Sequence, residues 1–215
     1  MDFNKLDHVF REDYDMGKLL EKDLYENPLV QFKMWFNDIV ELGHKQPNSM
    51  VLSTVDKDSI PSSRVVLLKH VDEAGFVFYT NYTSDKTKGF ETHNVVSLLF
   101  FSVELERQIR ISGRIAKVPY EQSNDYFKSR PKGSQVAALA SHQSEVVASR
   151  DVLEDEFSRL MDVYKDKSPE CPDYWGGYVV KPDYYEFWQG QPNRLHDRII
   201  YQFKDDHWTM SRLSP

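Results

Sequence analysis

The segment from Glu186 to Arg198, EFWQGQPNRLHDR, holds the densest group of residues that could do chemistry. Arg194, His196 and Arg198 are spaced two apart, so an extended chain would point all three to one face. Two guanidinium groups and an imidazole on one face would form an anion-binding or redox-cofactor site. The alternative is a charged strand edge in which Asp197 pairs with an arginine. Spacing alone leaves both interpretations open.

A second group of polar residues suits a phosphate. Tyr126 and Arg130 are four residues apart on a predicted helix and therefore share a face. Ser134 follows just beyond Pro131, where its hydroxyl and nearby backbone N–H groups could turn inward. A tyrosine hydroxyl, an arginine fork and a serine hydroxyl would form a phosphate cradle. An ordinary surface pair of Tyr126 and Arg130 is the alternative.

Other sequence signals of catalysis are absent. The sequence contains no P-loop, no G-x-G-x-x-G, no nucleophile elbow and no H-E-x-x-H. Its seven histidines are scattered without the spacing of metal ligands, and Cys171 is its one cysteine. We therefore expect no metal site and no intramolecular disulfide, and we interpret Cys171 as an incidental thiol.

Helices are predicted where apolar residues recur at helical spacing. Asn27 and Pro28 suit the start of a helix whose apolar face runs to Ile39, and Gly43 suits its end. Residues before Asn27 are polar and predict an N-terminal arm, residues 1–26. Further helices are predicted over residues 84–94, 119–130 and 149–165.

Strands dominate the rest of the chain. The predicted strands, rich in β-branched and aromatic residues, are MVLSTV, RVVLLKHV, GFVFYT, VVSLLFFSV, QIRISGRIAKV, GGYVVKP, YYEFWQG, RIIYQF and HWTMSRL. Five strands, then helices, then about four strands do not alternate as βαβ units do. The pattern predicts a mainly β fold with flanking helices, in which an antiparallel barrel forms one domain over residues 1–215.

Composition narrows the class of function. The 215 residues carry a formal net charge of −7, with 40% hydrophobic and 28% charged residues. These values are typical of a soluble globular protein, and they disfavour nucleic-acid or membrane-surface binding. The acidic N-terminus does not resemble a signal peptide, and the apolar run 95–103 is too short to span a bilayer. With a single cysteine, we expect a reducing cytoplasm.

FWQGQPNRLHDR resembles the C-terminal motif of the pyridoxine (pyridoxamine) 5′-phosphate oxidase family. The resemblance continues through SRVVLLKH, FYTNYTSDK, ERQIRISG, YFKSRPKGSQ and SHQS, in the family's order, and covers the chain from about Arg11 to Pro215. It implies an FMN-binding split β-barrel and a homodimer with FMN at the subunit interface. It also implies oxidation of pyridoxine or pyridoxamine 5′-phosphate to pyridoxal 5′-phosphate by dioxygen. Hydrogen peroxide is then released, with ammonia from the amine.

The resemblance also implies roles for individual residues in holding FMN. Arg64 and Lys86 would bind the FMN phosphate with help from Gln143 and Ser144, which suits a dianion. The other residues implied in FMN binding are Val65, Val66, Leu67, Leu68, Lys69, Tyr79, Thr80, Gln108, Trp188 and Arg198.

A second set of residues is implied in substrate binding and catalysis. Lys69, Tyr126, Arg130 and Ser134 would hold the substrate phosphate. Arg194 and His196 would lie over the substrate ring, where Arg194 could stabilise developing negative charge and His196 could relay a proton. The arm segment Arg11 to Tyr14 would contact substrate as a lid, unless the arm is a disordered tail.

Three features of the sequence sit uneasily with this pattern. Arg64 and Lys69 are an odd number apart, so one regular strand would point them to opposite faces. A bulge, ligands on both sides of the strand, or dimerisation would reconcile them. Asp85 and Glu12 stand where many family members carry a basic residue. Asp85 should weaken FMN binding unless its carboxylate points away from the phosphate.

Two other functions compete with the oxidase. One is a split-barrel flavoprotein acting on another substrate, such as a haem or a deazaflavin-linked reductant. It need not keep the RLHDR and YFKSR groups that this chain combines. The other is a non-catalytic carrier of pyridoxal 5′-phosphate, which would need no flavin.

Overall fold

The structure of the protein is a computed structural model that describes residues 14–90 and 92–215. These residues form nine strands, four α-helices and three 3₁₀ turns. Six strands precede the helical region and three follow it. The expected mainly β fold with flanking helices is therefore confirmed.

The elements are as follows. The strands are β1 (Ser49–Val55), β2 (Pro61–Leu67), β3 (His70–Asp72), β4 (Gly75–Asn81), β5 (Val95–Ser102), β6 (Arg107–Lys117), β7 (Trp175–Gln189), β8 (Asp197–Lys204) and β9 (His207–Leu213). The helices are α1 (Pro28–Glu41), α2 (Tyr120–Ser129), α3 (Lys132–Ala140) and α4 (Arg150–Val163). The 3₁₀ turns are Glu21–Asp23, Asp85–Thr87 and Pro192–Arg194.

The chain divides into two compact units. Unit 1 takes the described residues of 1–47, with 99–111 and 183–215, and unit 2 takes the described residues of 48–98 and 112–182. In unit 2 the strands follow the hydrogen-bonded order β2-β1-β5-β6-β7-β4-β3. In unit 1, β8 pairs antiparallel with both β7 and β9.

The core of unit 1 is built around helix α1. Asn27 caps the helix, because its side-chain oxygen accepts the Leu29 N–H at 2.9 Å, and Pro28 occupies the first turn. Phe32 is fully buried, with its ring centroid 5.2 Å from that of Phe100, and Trp35 packs edge-on against Phe187 at 5.3 Å. These buried rings fix α1 against the strands of unit 1.

The sheet of unit 2 positions the residues discussed below. β1 alternates buried and partly exposed side chains, as a strand with one buried face should, whereas β4 is buried almost throughout. β7 can approach β6 closely only because Gly113 has no side chain. A Cβ there would lie 2.1 Å from the carbonyl oxygen of Lys181.

Four predicted elements differ from the structure. RVVLLKHV is not one strand: β2 ends at Leu67 and β3 begins at His70. GGYVVKP and YYEFWQG are parts of one strand, β7, which continues through Pro182. Of the helix predicted over residues 84–94, the described part forms only the turn Asp85–Thr87. Helix α3 was not predicted, because the region after Pro131 was interpreted as a break.

Candidate functional site

A cavity of about 1000 Å³ opens in unit 2 and is lined by most of the predicted cofactor and phosphate residues. The predicted residues that line it are Arg64, Val65, Val66, Leu67, Lys69, Tyr79, Thr80, Lys86, Tyr126, Arg130, Ser134, Gln143 and Ser144. Leu68 is the exception within this run, because its side chain is buried in the core, while its backbone N–H donates to the Asn48 carbonyl.

Arg64 and Lys69 both line this cavity despite their odd spacing. The alternation rule holds only within a continuous strand, and β2 ends at Leu67. The backbone N–H of Lys69 then donates to Val77 of β4 at 2.8 Å. The change from β2 to the next strand therefore turns Lys69 toward the same cavity as Arg64, without a bulge inside β2.

One wall of the cavity holds a half-buried lysine whose hydrogen-bond partners are neutral. The Lys86 ammonium donates to the Thr80 hydroxyl at 3.0 Å, the Ser84 hydroxyl at 2.6 Å and the Gln143 side-chain oxygen at 2.8 Å. Burial, together with the positive charge of Arg64, lowers the pKa of Lys86 to about 8. The positive charge of Lys86 is therefore weakly stabilised in the free protein, and a bound anion would stabilise it.

Arg64 is held in place by neutral groups too. Its guanidinium donates to the Leu52 carbonyl at 3.1 Å and the Thr54 hydroxyl at 2.8 Å, and it also contacts Ser62. Burial lowers the pKa of Arg64. Because none of these partners is a carboxylate, the charges of Arg64 and Lys86 remain available to a ligand.

Asp85 lines the same cavity, but its charge is compensated. Its carboxylate forms an ion pair with Lys88 at 2.6 Å, and its backbone N–H donates to the Ser144 hydroxyl at 3.2 Å. Ser144 adopts a φ of 75°, in the left-handed region that costs a non-glycine residue energy. Lys88 therefore offsets part of the Asp85 charge, while the Asp85 carboxylate still favours the charged form of Lys86, raising its pKa against the effect of burial.

A second cationic group lies on an aromatic stack. The Tyr79 and Tyr126 rings stack with centroids 3.9 Å apart, and Trp175 stacks on Tyr79 at 5.6 Å. The Arg130 guanidinium lies 4.7 Å from the centre of the Trp175 ring, and the Lys69 ammonium lies 6.0 Å from that of Tyr126. The rings hold both cations by cation–π attraction, and both residues line the cavity.

Arg130 has an unsatisfied buried donor. Its Nη1 atom is buried without a hydrogen-bond partner among the described residues, and burial lowers the pKa of the guanidinium. Ser134 lies on the first turn of α3, where its backbone N–H bonds to the Pro131 carbonyl at 2.8 Å. The unpaired Nη1 is costly to leave buried, and Arg130 and Ser134 line the same cavity.

Arg194 and His196 belong to unit 1 and do not continue an extended strand. Arg194 ends the 3₁₀ turn Pro192–Arg194, and β8 begins only at Asp197. Asn193 and Arg194 have φ values of 57° and 60°. The expectation that Arg194, His196 and Arg198 share one strand face is therefore wrong, because two successive left-handed residues interrupt the alternation.

His196 is held in a defined tautomer. Its Nδ1 accepts the backbone N–H of Gln191 at 3.1 Å, so the proton of the neutral ring lies on Nε2. Burial, and secondarily the charge of Arg194, lowers the pKa of His196. At neutral pH His196 therefore presents an Nε2–H donor. Its ring packs 4.7 Å from Trp188 and 5.6 Å from Tyr14, centroid to centroid.

The remaining predicted residues also lie in unit 1. Arg198 forms an ion pair with the buried carboxylate of Glu186 at 2.8 Å and donates to the Ser214 carbonyl at 2.9 Å. Asp197 pairs with Arg212 at 2.5 Å, as the charged-edge alternative expected. Gln108 lies half-buried on β6. Arg11 lies outside the described residues, so its predicted role stays a prediction.

The sequence interpretation missed Trp175 and Gln135. Trp175 supports Arg130, and the Gln135 amide donates to the Arg130 carbonyl at 2.8 Å. Gln135 lies in the unpredicted helix α3, and Trp175 lies just before the predicted strand GGYVVKP and is the first residue of β7. A buried tryptophan beside two tyrosines and an arginine is recognisable only once the fold brings them together.

In the part of the chain that the structure covers, every helix is too short or too polar to cross a lipid bilayer.

Comparisons with known proteins agree with the motifs. A family model described as pyridoxamine 5′-phosphate oxidase matches residues 38–164, and a model described as the pyridoxine 5′-phosphate oxidase C-terminal dimerisation region matches residues 175–215. A pyridoxine/pyridoxamine 5′-phosphate oxidase of Paraburkholderia xenovorans is 48% identical, with 95% of this chain and 97% of that protein covered. One from Dichelobacter nodosus is 46% identical over the full length of both chains.

Solved structures agree on the fold. PhzG from Burkholderia lata 383, in complex with tetrahydrophenazine-1-carboxylic acid, matches with a TM-score of 0.86 and 26% identity, covering 93% of this chain and 98% of that one. A pyridoxamine 5′-phosphate oxidase-related, FMN-binding protein from Nostoc punctiforme matches with a TM-score of 0.65 at 12% identity, covering 93% and 100%, and supports the fold alone. The expected split β-barrel fold is confirmed. On the family models and on relatives nearly half identical over almost its whole length, this chain belongs to the pyridoxamine 5′-phosphate oxidase family.

Proposed function

We propose that the protein is an FMN-dependent oxidase that converts pyridoxine 5′-phosphate, or pyridoxamine 5′-phosphate, to pyridoxal 5′-phosphate. The alcohol and dioxygen would yield the aldehyde and hydrogen peroxide. The amine would consume one water as well and release ammonia. Membership of the family and the names of full-length relatives support the substrate class.

One observation carries the proposal: a single cavity in unit 2 contains two separate cationic groups. Arg64 and Lys86 form the first, and Lys69 and Arg130 form the second. No carboxylate of the described residues forms an ion pair with any of the four. An acidic protein that keeps two unpaired cationic groups in one cavity is suited to two phosphate-bearing ligands, which FMN and the substrate both are.

The residues of the first group fit the phosphate of FMN. Arg64 supplies a planar fork and Lys86 a point charge, while Thr80, Gln143 and Ser144 add neutral polar groups around them. When bound, FMN would supply the redox chemistry, taking hydride from the 4′ carbon of the substrate and passing the electrons to dioxygen. The protein's residues bind and orient both ligands.

The residues of the second group fit the substrate phosphate. Arg130 would direct its guanidinium at a phosphate oxygen, with Ser134 and the Tyr126 hydroxyl beside it. Lys69 would add a second positive charge. Anchoring the phosphate in this way fixes the distance of the reacting carbon from the anchor, which is how binding energy is used for orientation.

Arg194 and His196 are proposed to act on the pyridine ring. His196 would donate its Nε2–H to an oxygen substituent of the pyridine ring, since its Nδ1 already accepts the Gln191 N–H. Arg194, exposed on a strained turn, would contact the ring and hold it in the orientation from which the 4′ carbon loses hydride. The restricted turn limits the entropy lost when Arg194 is placed over a substrate.

We propose that the protein acts as a homodimer with FMN at the subunit interface, because residues 175–215 match a dimerisation region of the family. We also propose that it works in the cytoplasm, which suits a chain whose one cysteine is buried as a free thiol.

The test is turnover with full stoichiometry. The purified, FMN-supplemented protein is mixed with pyridoxine 5′-phosphate in air, and pyridoxal 5′-phosphate, peroxide and oxygen are followed together. We expect one peroxide formed and one oxygen consumed for each aldehyde. Bound FMN without product would instead favour a flavoprotein acting on another substrate. Pyridoxal 5′-phosphate binding without any FMN binding would favour a carrier.

A further inference from the structure

Arg212, on the last strand, makes contacts that no role in FMN or substrate binding explains. Its guanidinium binds both carboxylate oxygens of Glu21, at 2.8 and 2.9 Å. It also binds the Asp197 carboxylate at 2.5 Å and the Leu19 carbonyl at 2.7 Å. One side chain of β9 thus joins the N-terminal arm, about 190 residues earlier in the chain, to the first residue of β8.

Asp197 completes this link from the other side. Its second carboxylate oxygen accepts the backbone N–H of Leu19 at 2.9 Å. Leu19 is therefore held through both its N–H and its carbonyl, and its side chain is buried. Hydrogen bonding to Arg212 lowers the pKa of Glu21 to about 2. A two-pronged contact within a network of charges holds better than an isolated surface ion pair.

The described part of this arm begins at Tyr14, which lies against His196. The Tyr14 ring lies edge-on to Trp188 at 5.8 Å and to His196 at 5.6 Å, measured between centroids. A Cβ on Gly190 would lie 2.7 Å from the Tyr14 ring, so Tyr14 fits closely against that backbone. Between Tyr14 and Leu19, the Gly17 carbonyl accepts a hydrogen bond from the Gln191 side chain.

We propose that Arg212 is a positioning residue that, through Asp197 and Glu21, fixes the N-terminal arm so that Tyr14 covers the ring of His196. Asp197 directly follows His196 in the chain, so the same carboxylate ties the arm to the segment that carries the histidine. The inference rests on the proposed function, because His196 is there proposed to contact the substrate ring.

The experiment is a double-mutant cycle between Arg212→Met and Tyr14→Ala. If Arg212 acts only through the arm, either change raises the KM for pyridoxine 5′-phosphate, by about tenfold, and the double variant is no worse than the worse single one. Glu21→Gln, which leaves the sheet intact, should give a smaller rise in the same direction. Arg159→Met is the matched control, because Arg159 also binds a carboxylate through two nitrogens, that of Glu156 on α4.

A second readout does not depend on turnover. Hydrogen exchange of the Leu19 amide should accelerate at least tenfold in Arg212→Met and Glu21→Gln, and stay unchanged in Arg159→Met. The Kd for FMN and the melting temperature show whether each variant is folded. The proposal would be overturned if the effects of Arg212→Met and Tyr14→Ala on KM multiply in the double variant. It would also be overturned if the Leu19 amide exchanges at the wild-type rate in a folded Arg212→Met protein. If the wild-type protein does not oxidise pyridoxine 5′-phosphate, the proposed function is refuted. Hydrogen exchange of the Leu19 amide would still test whether Arg212 fixes the arm.

Discussion

The half-buried Lys86 makes FMN binding sensitive to pH in a range where few lysines titrate. With a pKa of about 8 in the free protein, Lys86 is mostly charged at pH 7 and mostly neutral at pH 9. A phosphate beside the ammonium raises that pKa again, so the complex holds a proton that the free protein has lost. FMN affinity must therefore fall as pH rises through 8.

The size of the effect follows from the proton balance. If the pKa in the complex returns to the ordinary lysine range, the Kd for FMN rises about tenfold between pH 7 and pH 9. The phosphate itself contributes little, because its second pKa is about 6 and it is already largely dianionic at pH 7. Lys86→Met should raise the Kd at pH 7 by about tenfold or more, as loss of a charge-assisted hydrogen bond does.

Flavin fluorescence quenching on the apoprotein, titrated at pH 7, 8 and 9, measures this directly. Riboflavin, which lacks the phosphate, should show no such pH dependence and should be insensitive to Lys86→Met. Lys57→Met is the control, since Lys57 is exposed and pairs with Asp58. If the Kd for FMN is the same from pH 7 to pH 9, or if its pH dependence is also present in Lys86→Met, then Lys86 does not control FMN binding.

Three further predictions concern the cavity and the sheet. Arg130→Met should raise the KM for pyridoxine 5′-phosphate by roughly tenfold to a hundredfold while the Kd for FMN stays within about twofold, because the Arg130 guanidinium is proposed to bind the substrate phosphate; equal losses for both ligands in steady-state and binding assays would contradict this. Asp85→Asn should change the FMN Kd by less than about threefold, because Asp85 already pairs with Lys88; a large gain in affinity on titration would show that the carboxylate opposes the phosphate. Gly113→Ala should lower the free energy of unfolding by about 3 kcal/mol or more in urea melts, because its Cβ would meet a backbone carbonyl. Gly133→Ala, with only one side-chain atom within 4 Å, should be neutral or stabilising, and equal losses for both glycine variants would refute the clash.

Local patterns in the sequence predicted most of the elements. Helix α1 follows its cap and apolar spacing closely, since Asn27 and Pro28 act within one turn. The two predicted strands GGYVVKP and YYEFWQG are one strand, β7, which continues through Pro182 and Asp183. Helix α3 was missed because Pro131 ends α2 and, at the same position, precedes the first turn of the next helix.

The sequence was enough to predict which residues belong to the candidate site. It was not enough to predict how the backbone directs their side chains. Which cations share the cavity depends on where β2 ends, and a one-residue change there would reverse the direction of Lys69. The turn at Arg194 depends on left-handed backbone at two residues that are not glycine, which sequence rules do not anticipate. The contacts of Arg212 with the arm join the two ends of the chain, and no local pattern encodes them.

The central claim is that one cavity of unit 2 binds two phosphates, one at each cationic group. A crystal structure of the protein with FMN and pyridoxal 5′-phosphate tests it most directly. We predict that the FMN phosphate lies within hydrogen-bond distance of Arg64 and Lys86, and the pyridoxal 5′-phosphate phosphate within that distance of Arg130 and Ser134. Either phosphate bound away from its predicted group, with that group still unpaired, would contradict the account.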